Sequence, residues 1–493
     1  MEGRSVSGKG NTCTFFIGKN YRYYGGGKQE DIMRAMGIDI GTTTISVILV
    51  DGQSGELLGS RTVSHQAFIQ GEHFCNRVQD PEKLYEVTRK VVVELAAEIG
   101  KPDSIGFTGQ MHGILYVDRE GRAATPLYTW QDESGNEKFS GDKTYEHILR
   151  EKVGAAATGY GMTTHFFLCH KKKIPEKACC MTTISDYIAM RFCNRIKPII
   201  ARDMAASWGC FDLEKGKFLK EKLEMIGIRT DYIPEICEEH EIIGMAVEEG
   251  LEGVPVMASL GDNQASFIGS VQNIRDTVVI NIGTGSQVSF GTNMHYRTEG
   301  SIELRPCIKD SYLLVGAGLC GGRAYAMLEQ FYRQIAAMEG ENIVHASLYE
   351  SMEKQAREFV KTNGIDEAWD IRTTFSGTRT NPGERGSITS VGVKNFTPGA
   401  MTAGMIKGIL EELYDMYQGM CQMTGKKATC LVGAGNGIRK NRFMQEMAET
   451  IFGMKLNIPK CHEEAALGAA FYSLVSSGKV DSLEEIQKKI QYI

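Results

Sequence analysis

Two short stretches of this chain pair glycine with hydroxyl side chains in a way that suits an anionic guest. The first is Asp39-Ile40-Gly41-Thr42-Thr43, which ends an apolar run begun at Met36 and is followed by the apolar residues Ile45 to Val50. The second lies about 240 residues further on, as Ile282-Gly283-Thr284-Gly285-Ser286, between the runs Thr277 to Asn281 and Gln287 to Gly291. Glycine lets the backbone approach closely, and successive N–H groups with Ser or Thr hydroxyls then point at a phosphate-like charge. Each stretch reads as half of a phosphate clamp, although either one alone also reads as a plain hairpin turn. A third glycine-rich element, Leu431 to Asn441, contains Gly433, Gly435, Asn436 and Asn441 and leads into a helix from Arg442 to Ala448. Strand, glycine turn and helix start together let backbone approach a flat or phosphorylated ligand. Neither G-x-G-x-x-G before an early helix nor G-x-x-x-x-G-K-[ST] occurs there, which argues against Rossmann or P-loop binding.

The elements that must hold these turns follow from the apolar pattern. A strand, a Gly-Thr-Thr turn, a second strand and Asp51-Gly52 predict an antiparallel hairpin, and the second copy predicts another. Their recurrence predicts two domains of similar plan, 36–255 and 256–493. Pro81 to Ile99 places Leu84, Val87, Val91, Leu95 and Ile99 at helical spacing, and Gly408 to Met423 does so with Ile409, Leu413, Met416 and Met420. Both read as core-facing helices. Residues 1–35, with the triplet Gly25 to Gly27 and no periodicity, read as an extension that is either disordered or added by a misplaced start codon, the native start being Met33 or Met36.

Composition narrows the function classes. With 42% hydrophobic and 24% charged residues, disorder, collagen and coiled coil are excluded as the main architecture. No run approaches the ~18 apolar residues of a bilayer span, so no membrane partner is expected. A net charge of −6 gives no electrostatic footprint for nucleic acid. The 13 cysteines include no C-x-x-C pair and read as thiols of a reducing cytoplasm rather than as metal ligands. Lys171-Lys172-Lys173 reads as a solvated loop.

The three glycine elements in this order resemble those of the FGGY carbohydrate kinases, within the actin-like ATPase superfamily. The resemblance runs from Met36 to the C-terminus and includes Gly109-Gln110-Met111-His112-Gly113, Tyr128-Thr129-Trp130-Gln131-Asp132 and Gly261-Asp262-Asn263-Gln264-Ala265. Phe375-Ser376-Gly377-Thr378-Arg379, Arg385-Gly386-Ser387-Ile388 and Asn395-Phe396-Thr397-Pro398-Gly399, with Gly159-Tyr160-Gly161, are most similar to the sedoheptulokinase branch. Xylulokinases share the Gln-Met-His-Gly motif and are the nearest rival, whereas glycerol kinases carry an Arg-Glu pair where this chain has Met111-His112.

The resemblance implies an α/β fold of two actin-like, ribonuclease H-like domains with a cleft between them, a sugar substrate, ATP and Mg2+. It implies transfer of the γ-phosphoryl group to the terminal primary hydroxyl of a ketose, sedoheptulose first. By the same resemblance, Asp39 helps hold Mg2+ through water, and Gly41, Thr42 and Thr43 form the first phosphate turn. Gly283, Thr284 and Gly285 form the second, and Gly433, Gly435, Asn436 and Asn441 fall in the adenosine motif. Gln110, Met111, His112, Trp130 and Asp132 line the sugar pocket, and Asp262 matches the catalytic base. Phosphoryl transfer needs an in-line acceptor and neutralised oxyanion charge, and a sugar hydroxyl needs a nearby carboxylate to take its proton. From the residues alone Asp262 is equally a helix N-cap, Asp132 a surface turn and His112 a satisfied buried histidine. Many family members have Lys or Arg where this chain has Ser46, so its phosphate clamp leans on Mg2+, backbone amides or a cation from elsewhere. An actin-like ATP-dependent switch is the alternative from another function class, and a homodimer is compatible with either.

Overall fold

The computed structural model describes residues 32–237, 241–298, 300–308, 311–338, 347–378, 381 and 383–493. The expected extension lies outside the described residues as far as residue 31, and so does Arg379.

Strands β1 (Arg34–Ile40) and β2 (Thr44–Asp51) form the first expected hairpin, with Asp39 opposite Ser46. β3 (Leu57–Ser64) extends it. Helix α1 (Pro81–Ile99) follows, its first amides capped by Asp80, and β4 (Ser104–Gly109) pairs in parallel with β1. Helix α2 (Arg202–Ser207), strands β5 (Ile242–Met245), β6 (Pro255–Met257) and β7 (Leu260–Gly261), and helix α3 (Asp262–Ile268) complete this half. The sheet order is β5-β6-β4-β1-β2-β3, with β7 also on β4. Covered on both faces, β1 has Ala35, Met36, Ile38 and Ile40 fully buried, the near-continuous apolar run of a central strand.

The second half repeats the plan. β8 (Thr277–Ile282) and β9 (Ser286–Thr292) form the second hairpin. β10 (Ile302–Pro306), β11 (Tyr312–Gly318), helix α4 (Gly321–Ala337) and helix α5 (Pro398–Thr424) follow, then β12 (Cys430–Ala434). Helices α6 (Asn436–Lys440) and α7 (Arg442–Phe452), strand β13 (Leu456–Asn457) and helix α8 (Glu464–Ser476) come next, before a short final helix over Leu483–Gln487. The order is β10-β11-β9-β8-β12-β13, and β12 is parallel to β8 as β4 is to β1. The expected stripe of Ile409, Leu413 and Met420 is buried on α5, which starts ten residues before Gly408 because Thr397 caps it at Pro398. The third glycine element holds an extra short helix, α6, because Asn441 caps α7 and breaks the run.

The first sheet takes in β6 and β7, past residue 255 where the sequence reading divides the chain. Helix α8 also returns from the far end of the chain to pack on β1, β4 and α3. Glycines make this approach so close that side chains are excluded. A Cβ on Gly37 would sit 1.8 Å from the Ala466 carbonyl oxygen, one on Gly106 2.0 Å from that of Ala469, and one on Gly468 1.9 Å from that of Ala265. These are backbone contacts, which cannot swing aside. Gly468→Ala should therefore cost about 1–3 kcal/mol of unfolding free energy by overpacking. Gly392→Ala, whose Cβ would meet only an Asn395 oxygen at 3.7 Å, should be near neutral when both are unfolded in urea.

Candidate active site

The first glycine turn closes on itself through Gly41 N–H to the Thr44 carbonyl at 3.0 Å. The Thr42 carbonyl accepts from Gln79 Nε2 at 2.7 Å and His65 Nε2 at 3.0 Å. His65 Nδ1 in turn accepts from the Ala67 N–H at 3.0 Å, so the ring is the neutral tautomer with its proton on Nε2. Burial lowers the His65 pKa and favours that state. Gln110 Nε2 donates to Gln79 Oε1 at 2.9 Å, which makes a buried chain from Gln110 to the turn. Trp130, partly exposed, donates Nε1–H to Thr42 Oγ1 at 3.0 Å. Thr42 and its neighbours are thus oriented from behind, leaving Thr43 exposed.

The second turn is tied to the start of α4. Gly322 N–H donates to the Gly283 carbonyl at 3.0 Å and Arg323 N–H to that of Thr284 at 2.9 Å, while Gly283 N–H reaches the Gly285 carbonyl. In the third element Gly435 has φ 83° and lies against Asn281 and Ile282, a backbone conformation and a closeness that only glycine suits. Asn436 is exposed beside it. Gly433 is buried within β12, and Asn441 is buried as the α7 cap, its Oδ1 accepting from Met444 N–H at 2.8 Å.

Asp262 is the first residue of α3, but the cap position belongs to Gly261 and no side chain caps the helix. Gly261 N–H is instead taken by Asp203 Oδ2 at 2.8 Å, which fixes the turn and leaves the Asp262 carboxylate available. Asp262 Oδ1 accepts from Asn263 Nδ2 at 3.2 Å, and the same amide lies 3.6 Å from Met111 Sδ. Burial pushes the Asp262 carboxyl up to about 6 against the pull of Arg305 and the Asn263 N–H. Asp39 stands near it: burial, then Asp262 and Glu463, push its carboxyl up to about 7. Asp39 Oδ1 is buried and has no hydrogen-bond partner. Glu463, next to the start of α8, accepts from Thr62 Oγ1 at 2.8 Å, and Thr62 bonds Ser46 Oγ at 3.0 Å.

This acid set fits a divalent cation that keeps most of its shell as water and phosphate oxygens, since an unpartnered, charge-crowded Asp39 would be relieved by one. Among the described residues no group of three or more His, Cys, Asp or Glu is placed to hold a metal directly.

His112 has φ 72° and its Nδ1–H donates to the Ser207 carbonyl at 2.6 Å, while its N–H reaches Ser207 Oγ at 3.1 Å. Its ring stacks on Tyr160, centroids 4.4 Å apart and planes within 3°. Asp132 is fully buried rather than in a surface turn. Its oxygens accept from Asn76 Nδ2 at 3.0 Å, Arg77 N–H at 3.3 Å and Ser134 N–H at 3.0 Å, and burial raises its pKa against those bonds. It therefore orders the Asn76-Arg77 segment beside Trp130. His65, Gln79, Asp203, Glu463 and Arg305 join these residues without any motif in the sequence that marks them, and Tyr160 joins from the Gly159-Tyr160-Gly161 segment.

Residues 34–269 match the N-terminal domain of the FGGY family of carbohydrate kinases, and residues 278–477 match its C-terminal domain. The chain is 26% identical over 484 residues to the sedoheptulokinase of Mus musculus, covering 89% of this chain and 97% of that one. It is 26% identical over 475 residues to a xylulose kinase of Staphylococcus epidermidis, covering 91% and 89%. A ligand-bound xylulose kinase from Lactobacillus acidophilus superposes with a TM-score of 0.78 at 21% identity, covering 94% and 93% of the two chains. That likeness establishes the two-domain α/β fold. No described helix is long and apolar enough to cross a membrane.

Gln79→Leu removes one donor from the Thr42 carbonyl and strands the buried Gln110 amide. Urea unfolding should show a loss of about 1–3 kcal/mol, the cost of an unmet buried donor. Calorimetry should show weaker ATP binding, because the Thr42 carbonyl is then held by His65 alone.

Proposed function

Because the chain belongs to the FGGY family of carbohydrate kinases, an ATP-dependent sugar kinase by that membership, we propose that it phosphorylates the terminal primary hydroxyl of a ketose, sedoheptulose first, with Asp262 as general base. The observation that carries this reading is the Asp262 carboxylate: released from capping by Gly261, raised by burial and set beside Met111 of the sugar loop. A carboxyl with a pKa near 6 is ionised at neutral pH yet a better proton acceptor than an ordinary aspartate.

The two hairpin turns, with Thr42, Thr43, Gly283, Thr284 and Gly285, hold the ATP phosphates through backbone N–H groups and hydroxyls. Half-buried Gly435 and exposed Asn436 offer a platform for the adenosine, while Gly433 and Asn441 support it from within. Mg2+ held near Asp39 supplies charge neutralisation on the phosphates. Gln110, Met111 and His112 orient the sugar, and Trp130 lies where sugar loop and phosphate turn meet. As the hydroxyl proton passes to Asp262, the oxygen forms its bond to the γ-phosphorus and the bridging P–O bond to ADP breaks.

Sedoheptulose is favoured by the Phe375-to-Gly399 motifs and by the near full-length likeness to the mouse enzyme. Xylulose is the second reading, on the equal identity of the Staphylococcus epidermidis enzyme. The test is ADP release with Mg-ATP against sedoheptulose, xylulose, ribulose, fructose, glycerol and no sugar. The highest kcat/KM should fall to sedoheptulose. A higher value for another ketose discards the substrate, and turnover indifferent to sugar discards the kinase reading.

Asp262→Asn should lower kcat by about 10²–10⁴-fold with ATP binding retained. The wild-type kcat/KM should decline as pH falls through about 6, the value to which burial raises Asp262, because the protonated carboxyl cannot accept. Stability should move the other way. A raised carboxyl pKa contributes stability that is present below its unfolded value and lost as pH rises through the folded one. The Asn variant should therefore melt higher than wild type above pH 6, with the gap closing towards pH 4 in scanning calorimetry.

A further inference from the structure

Arg305 has no place in the reading above, yet its charge acts on Asp262 and one of its buried nitrogens has no hydrogen-bond partner among the described residues. It lies on β10, paired with Leu313 of β11, and is only 7% exposed. Its Nε and Nη2 are both spent on Glu303 Oε2, at 3.2 and 2.7 Å. Its Nη1 is buried and has no hydrogen-bond partner. Burial opposes its charge, and Glu303, the Tyr160 phenol and Asp262 together outweigh that opposition. Two of those three, Asp262 and Tyr160, belong to the proposed sugar site.

The surrounding elements hold the strand there. Gln264, two residues beyond Asp262 on α3, donates Nε2–H to the Pro306 carbonyl at 2.9 Å. Helix α2, whose Ser207 anchors His112, packs on β10, and its Arg202 reaches Tyr312 Oη at 3.4 Å. The edge strand of the second sheet is thereby tied to the two helices that carry the proposed base and the Ser207 anchor of His112.

A structural role accounts for only part of this. A buried Arg–Glu pair alone adds little to stability and is readily replaced by apolar side chains. Glu303 engages one side of the guanidinium fork, and the other side presents N–H groups that can only donate. The partner they need is an acceptor oxygen, and a sugar next to Asp262 brings several. The local charge decides its kind: Glu303 offsets Arg305, Asp262 is ionised at neutral pH, and the site is net negative, which disfavours an anionic sugar.

We propose that Arg305 is a sugar-binding residue supplied by the second sheet, its Nη1–H donating to an oxygen of the acceptor beside the hydroxyl that Asp262 deprotonates, and that Glu303 confines the site to uncharged ketoses and polyols. This rests on the sugar-kinase reading, and the controls separate the two.

The experiment compares wild type with Arg305→Gln, Arg305→Lys and Glu303→Gln, using the best ketose from the panel and gluconate as an acidic sugar. Sugar and ATP KM values, nucleotide-free sugar Kd by calorimetry and melting temperatures are measured. Arg305→Gln should raise the sugar KM and Kd by about 10–100-fold, as expected when a site built to hydrogen-bond its substrate loses the bond, with the ATP KM within about twofold. Arg305→Lys should lose at least about tenfold, because an ammonium held by Glu303 cannot also present the second arm of the fork. Glu303→Gln should improve gluconate binding relative to the ketose. If the Gln variant does not fold, the Lys variant, which keeps the ion pair, decides. Unchanged sugar KM and Kd in a folded Arg305 variant, or equal rises for sugar and ATP, overturn the proposal. Failure of the underlying reading shows instead in wild type, as turnover that no sugar stimulates.

Discussion

The close approach of α8 to β1, β4 and α3 is the constraint on which the site depends. Gly37, Gly106 and Gly468 bring backbone against backbone, and the elements they clamp end in acids: β1 near Asp39, α3 at Asp262, α8 just after Glu463. The contact that joins the two ends of the chain therefore also crowds three carboxyl groups. Burial first, and then the charges of Asp262 and Glu463, push Asp39 to about 7, and its buried Oδ1 has no hydrogen-bond partner among the described residues. Packing energy from the glycine contact sustains an electrostatic arrangement that a looser junction would relax by moving the helices apart.

The parts of the site legible in the sequence are those built locally. Both hairpins were visible because strand alternation and a glycine turn fix the register within a dozen residues. What lay beyond reach depends on contacts between distant segments. Gln79 meets the Thr42 carbonyl from 37 residues away and Thr62 meets Glu463 from 401. Nothing in the local pattern of either marks the meeting. Arg305 belongs to the same class, since an arginine in a short edge strand reads as solvent-facing until α2 is seen to pack on the strand and Gln264 of α3 to bond its end.

Where the sequence left two readings open, a single hydrogen bond or its absence separates them. Asp262 is the first helical residue, one past the cap position held by Gly261, and no side chain caps the helix, while Asp203 takes the Gly261 amide. Asp132, by contrast, spends both oxygens on three donors and is buried completely. Two aspartates with similar sequence surroundings thus divide into one held by the fold and one held out from it. Propensity cannot tell them apart, because the deciding partners are distant: donors from Asn76 and Arg77 for Asp132, and the Asp203 carboxylate of α2, accepting from Gly261, beside Asp262.

Ser46 shows how the acid crowding and the proposed chemistry fit together. A lysine or arginine at this position would lie opposite Asp39 on the hairpin and within the Thr62–Glu463 chain, and would neutralise part of the acid set permanently. With serine there, the position is buried, uncharged and committed to Thr62. On the proposed function, the positive charge that Asp39 and Glu463 call for would arrive with the nucleotide, as its metal ion, instead of residing in the protein, because both hairpin turns are built from neutral amides and hydroxyls.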